Sequence, residues 1–143
     1  MNRFGHTIFY VHDVKKTVEF YEKAFGISRQ FIDETGQYAQ METGSTVLGF
    51  ASLALAKQNL KRDFRPLSKN ELFGCEISFL TRNLDKSIAT ALKAGAELIA
   101  PAEAKPWGQT IAYVRDLNGI LIEIGTEMDC PVEDEKGSSC GCC

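Results

Sequence analysis

Several classes of protein are excluded by what this chain of 143 residues does not contain. No apolar run approaches the ~20 residues needed to span a bilayer as a helix. The N-terminus runs almost directly into a strand pattern, which leaves no room for a signal peptide, and a cytoplasmic protein is expected. Positive charge is not in excess. The 16 basic and 19 acidic side chains give a net charge of −3, and no basic stripe offers a footprint for nucleic acid. Four of the five cysteines (Cys130, Cys140, Cys142 and Cys143) crowd the C-terminus. Without an export signal they are not expected to form a disulfide framework. The fifth, Cys75, lies beside a strand and is expected as a small core residue. A hydrophobic content of 44% suffices for one domain, or for two small modules sharing a core.

The stretch His6 to Gly26, HTIFYVHDVKKTVEFYEKAFG, organises the rest. Thr7, Phe9 and Val11 alternate with His6, Ile8 and Tyr10, the period of a half-buried strand. Asp13 is placed to cap a helix, Val14, Val18, Tyr21 and Phe25 recur at helical spacing, and Gly26 is placed to stop it in a left-handed conformation. An offset of 70 residues puts Glu76 on His6, Phe79 on Phe9, Asn83 on Asp13, Leu84 on Val14 and Ile88 on Val18, and the stop glycines Gly26 and Gly95 fall one position apart. Cap, apolar stripe and stop agree together, so the chain reads as an internal duplication.

Each copy continues as strands. After the first helix come Ser28 to Asp33, Tyr38 to Glu42 and Thr46 to Leu53, separated by turn residues. A polar segment around Pro66 then breaks the pattern, with one helical turn expected near Ala56 to Leu60. The second copy gives a strand from Ile77, a helix from about Leu84 to Ala94, and strands Glu97 to Ala104, Thr110 to Arg115 and Ile120 to Thr126. Pro101 marks an edge or bulge, and Asp116-Leu117-Asn118-Gly119 is a hairpin signal in which Arg115 and Asp116 belong to the turn. The expected division is a first module at 1–54, a linker at 55–73, a second module at 74–126 and a disordered Cys-containing tail at 127–143. The fold class is α+β, two β-α-β-β-β modules curved as half-barrels around a cleft.

Three side chains are odd in their strands. Glu123 interrupts ILIEIGT between Ile122 and Ile124, so if the isoleucines pack on a helix it points to the other face. By the same alternation His6 and Glu76 leave the helix-facing side to Phe9 and Phe79. Two carboxylates and an imidazole converging on a cleft make a divalent-metal site. Without a cation, they are polar strand-end residues in a pocket. Tyr10 shares the His6 face, and Trp107 and Gln109 precede a strand where they can line a pocket or pack under a loop. His12, at a strand-to-helix junction, is expected to be exposed. The Cys-Gly-Cys-Cys end can bind soft metals as thiolates, or be a tail without function.

The opening segment and the closing WGQTIAYVRDLNGILIEIGT resemble the vicinal oxygen chelate superfamily, which includes glyoxalase I, extradiol dioxygenases, fosfomycin-resistance enzymes and bleomycin-binding proteins. The resemblance spans roughly residues 4 to 126. It implies half-barrel modules with His6 as the first-strand ligand, Glu123 as the last-strand ligand and Glu76 where a second histidine is usual. The last strand of the first module carries no carboxylate or histidine, a departure from glyoxalase I.

The function this implies is a small-molecule enzyme of lyase, isomerase or epimerase type. A divalent ion (Zn, Ni, Mn or Fe) on His6, Glu76 and Glu123 would chelate a substrate with adjacent oxygens, with Glu76 and Glu123 catalytic and Tyr10, Trp107 and Gln109 contacting substrate. The alternative is a non-catalytic drug- or metabolite-binding protein of bleomycin-resistance type. Exposed sheet edges and apolar faces suggest a homodimer, its cleft formed within one chain or between two.

Overall fold

A computed structural model describes residues 1–128. The first module runs β1 (His6–Val11), α1 (Val14–Phe25), β2 (Arg29–Ile32), β3 (Tyr38–Met41) and β4 (Val47–Ser52), followed by α2 (Leu53–Leu60). The second runs β5 (Ile77–Thr81), α3 (Leu84–Lys93), β6 (Glu97–Ala104), β7 (Thr110–Arg115) and β8 (Leu121–Thr126). The two sheets have orders β1-β4-β3-β2 and β5-β8-β7-β6, each with one parallel and two antiparallel pairings, and neither closes into a barrel. No described helix is long and apolar enough to cross a membrane.

The two long helices begin at Val14 and Leu84, the expected 70-residue offset. Each start is fixed by its cap: Lys16 N–H donates to Asp13 Oδ1 at 2.9 Å, and Lys86 N–H to Asn83 Oδ1 at 3.1 Å. Gly26 ends α1 in the left-handed region at φ +67°. The expected helical turn in the connecting segment is a full helix, α2, because Ser52 caps it through Leu55 N–H.

Val11, Val18, Tyr21, Phe50, Val114, Ile122 and Ile124 lie in one core with no exposure at all. Each such side chain contributes roughly 1.5–3 kcal/mol by burial. This core is shared by both modules, which meet through their helix-bearing faces. The Phe25 ring stacks on Phe79 at 4.5 Å, and Tyr21 lies 5.0 Å from Phe50 and 6.3 Å from Phe79. The opposite faces of both sheets stay open, with Ile8 42% and Leu80 50% exposed.

Two expectations are corrected. Cys75 is exposed rather than a core residue, because it precedes β5 and has no facing element. Arg115 and Asp116 are not merely turn residues: Arg115 ends β7, and both are buried, Asp116 to 1% exposure. The hairpin between β7 and β8 forms as expected, with Gly119 at φ +101°. Of the Cys-containing tail, residues 129–143 lie outside the described residues.

Candidate functional site

The alternation along β8 sets the site. Ile122 and Ile124 face the core, so Glu123 emerges on the open face, half-buried. Its strand neighbours supply the donors. Ser78 pairs with it from β5 and Tyr113 from β7. Ser78 Oγ donates to Glu123 Oε1 at 2.9 Å, and the Tyr113 hydroxyl donates to Oε2 at 3.1 Å. Both carboxylate oxygens are therefore held by neutral hydroxyls, with no cationic side chain among their partners in the described residues.

Glu76 stands one residue before β5, exposed overall, and lies close enough to Glu123 for the two carboxyl groups to interact. Partial desolvation first, then the charge of Glu123, pushes Glu76 above its ordinary carboxylate value. Tyr113 is raised as well, by burial and then by its bond to Glu123.

Gln109 belongs to this face too. Its Nε2 donates to Thr126 O at 2.9 Å and lies over Gly125, where an added Cβ would sit 3.1 Å from it. Trp107 extends beyond, 58% exposed, with its indole N–H donating to Gln109 Oε1 at 3.0 Å. Tyr10 lies in the first module, its ring 5.0 Å from Phe64.

His6 is exposed at the start of β1, beside Val47, in a groove with Arg3, Phe4 and Ser45. Among the described residues, no three His, Cys, Asp or Glu side chains cluster closely enough to hold a metal ion. One chain thus brings Glu76 and Glu123 together and does not bring His6 to them. The pair itself suits a divalent cation, since two neighbouring carboxylates repel one another and a cation relieves that repulsion. His12 is exposed, in a groove with Arg65 and Lys69.

Strand register also locates the counterpart of Glu123. Ser78 pairs with Glu123 in the second module, and Ile8 pairs with Gly49 in the first. Gly49 therefore occupies the duplicated position. A Cβ there would lie 3.0 Å from the Tyr38 hydroxyl, which accepts a hydrogen bond from Gln40 Nε2 at 2.9 Å. A tyrosine hydroxyl sits over the spot where the other module carries its acid. Ser78 and Tyr113 were not singled out in the sequence, although counting back from the Asn-Gly turn pairs Tyr113 with Glu123.

Comparison with known proteins agrees with this architecture. The sequence profile of a Glyoxalase-like domain matches residues 4–129. A Bacillus subtilis (strain 168) protein called uncharacterized protein YraH is 25% identical over 115 residues, which is 80% of this chain and 90% of that protein. A glyoxalase-related enzyme from Fulvimarina pelagi superimposes with a TM-score of 0.75 at 18% identity, over 89% of each chain. A glyoxalase/bleomycin resistance protein/dioxygenase family enzyme from Burkholderia phytofirmans PsJN gives 0.71 at 17% identity, over 87% of this chain and 98% of that one. With the duplicated modules and the profile match spanning nearly all the described residues, the chain belongs to the glyoxalase-like family of the vicinal oxygen chelate superfamily.

Proposed function

We propose that the protein is a small-molecule enzyme of lyase, isomerase or epimerase type, working as a homodimer in which His6 of one copy meets Glu76 and Glu123 of the other. The observation that carries this reading is the carboxyl pair. Glu76 is raised by burial and by Glu123, while both oxygens of Glu123 are tied to Ser78 and Tyr113. Two acids in different surroundings take different roles. Glu123 is the fixed anchor. Glu76 is the group free to take a proton from carbon beside a carbonyl and return it.

The second copy enters for two reasons. The modules of one chain meet through their helix faces, which leaves the His6 face and the Glu123 face open. Both open faces carry exposed aliphatic side chains, Ile8 and Leu80, which association would bury. A divalent ion (Zn, Ni, Mn or Fe) held by His6 and Glu123, with Glu76 as a third ligand whenever it is not serving as the base, would supply Lewis-acid stabilisation to a substrate with adjacent oxygens. Tyr10 from one copy, and Trp107 and Gln109 from the other, would line the substrate's side of the cleft.

The test is chain mixing. Mn²⁺ binding is measured for His6→Ala, for Glu123→Ala and for the two co-expressed. A site shared between copies is lost in each variant and restored at half the sites of the mixed dimer. No restoration, with a dimer confirmed by sedimentation, would rule out the shared site. The alternative is a non-catalytic binding protein, favoured by the wide exposure of Trp107. It predicts ligand binding without metal, quenching Trp107 fluorescence.

A further inference from the structure

We infer that a second ligand site lies at the seam between the modules, apart from the carboxyl pair, and that it takes a small aromatic or aliphatic amine. A cavity of about 460 Å³ opens there, within the range of small-molecule sites. Its body is apolar: Ile27 follows α1, Leu48 comes from β4, and Ile77 and Phe79 come from β5. Thr7 lines it from β1. Both β1 and β5 are edge strands of their sheets, so no protein strand fills the space between them.

The volume is too large for a packing defect. A single Leu→Ala void is about 150 Å³. Ile27, Ile77 and Phe79 are only partly buried although they pack on the core, so the cavity presents apolar surface to whatever enters. Glu42 is the one charged residue in its lining, it is exposed, and it has no ion-pair partner among the described residues. The complement is a molecule with an apolar body and a single positive head: the body lies on Ile27, Leu48, Ile77 and Phe79, and the ammonium faces Glu42. An acid of the same shape meets Glu42 as a like charge.

This site does not depend on the proposed activity. Glu123 lies on the open face of the second module, whereas the apolar floor of the cavity is on the helix side, where Ile77 and Phe79 point; Ser78, the edge residue between them, lines the cavity too but turns its hydroxyl to Glu123. The experiment is a calorimetric and saturation-transfer titration of 2-phenylethylamine, with 3-phenylpropionate as the acidic twin, on the full chain. The amine is expected to bind and the acid to bind at least about tenfold more weakly. Glu42→Gln, a change at an exposed position, should weaken the amine about fivefold, as loss of a surface ion pair does. Ile77→Trp should fill the cavity and abolish binding, while Glu123→Ala should leave it unchanged. Equal binding of amine and acid, or amine binding that survives Glu42→Gln in full and vanishes with Glu123→Ala, would overturn the proposal. The second of those outcomes would place the ammonium on the carboxyl pair.

Discussion

The Tyr21 hydroxyl donates to Asp116 Oδ2 at 3.0 Å, joining the first helix of one module to the last turn of the other across 95 residues of sequence. The bond is wholly buried. Asp116 is further held by the backbone N–H groups of Asn118, Gly119 and Ile120, and Asn118 Nδ2 donates to Thr17 on the same helix. This knot fixes the helix faces together and so determines that the other faces are open.

Tyr21→Phe removes one partner and leaves an Asp116 oxygen with only the 3.3 Å contact from Asn118 Nδ2. The expected loss is about 1–3 kcal/mol. Asp116→Ala also takes the carboxylate away from three turn amides, of which Gly119 N–H alone keeps a backbone partner, Asp116 O at 3.4 Å, and should be worse than Tyr21→Phe. Urea denaturation of both variants checks the order, and a neutral result for Asp116→Ala would show the turn forms without its carboxylate.

Gly119→Ala is expected to be among the most damaging single changes. The residue sits at φ +101°, and its new Cβ would lie 2.2 Å from the Ser68 carbonyl oxygen in the connecting segment. Backbone cannot yield as a flexible side chain does, so strain adds to clash, with a loss of about 2 kcal/mol or more. Gly5→Ala, with nothing within 4 Å, serves as the neutral control in the same thermal melts.

The pH dependence of the carboxyl pair has a definite sign. Burial and the Glu123 charge raise Glu76 in the folded protein. The native state then holds more protons than the unfolded one between the two pKa values. This contribution is present in full below the unfolded pKa and is lost as pH rises through the folded one. Glu76→Gln keeps the shape of the side chain without the charge. Its Tm should exceed the parent's at pH 7, and the gap should close near pH 4, roughly the unfolded carboxylate value. A gap independent of pH would mean Glu76 is not coupled to Glu123.

Glu123→Ala should lower the Tyr113 pKa. Burial raises that phenol first, and the bond and charge of Glu123 raise it further. Removing the carboxylate takes away the latter causes. Ultraviolet titration, with Tyr113→Phe to identify the signal, reads the shift, and an unchanged phenol would contradict the hydrogen bond.

Much of this was legible in the sequence. Asp13 and Asn83 declare their helices because each precedes an apolar stripe, and strand alternation alone puts Glu123 opposite Ile122 and Ile124. The position of His6 relative to Glu123 was not legible, because alternation gives the face of a strand and not how two sheets are set against each other. Asp116 was hidden for a similar reason. An Asp-x-Asn-Gly segment reads only as a turn, and its burial comes from Tyr21 and Thr17, far away in sequence. Cys75 misled because small size suggests the core, while its place ahead of β5 leaves it nothing to pack against.

Gly49 bears on how copies of the chain would sort their surfaces in the proposed dimer. Duplication leaves two faces of like shape, and nothing in the backbone prevents like from meeting like. The acids break that degeneracy. Two second-module faces brought together would crowd two copies of Glu76 and of Glu123, whereas a first-module face offers Gly49, the Tyr38 hydroxyl and the His6 imidazole instead. In the proposed dimer, charge repulsion would favour unlike faces, and the absence of a carboxylate at Gly49 would act as an orientation rule.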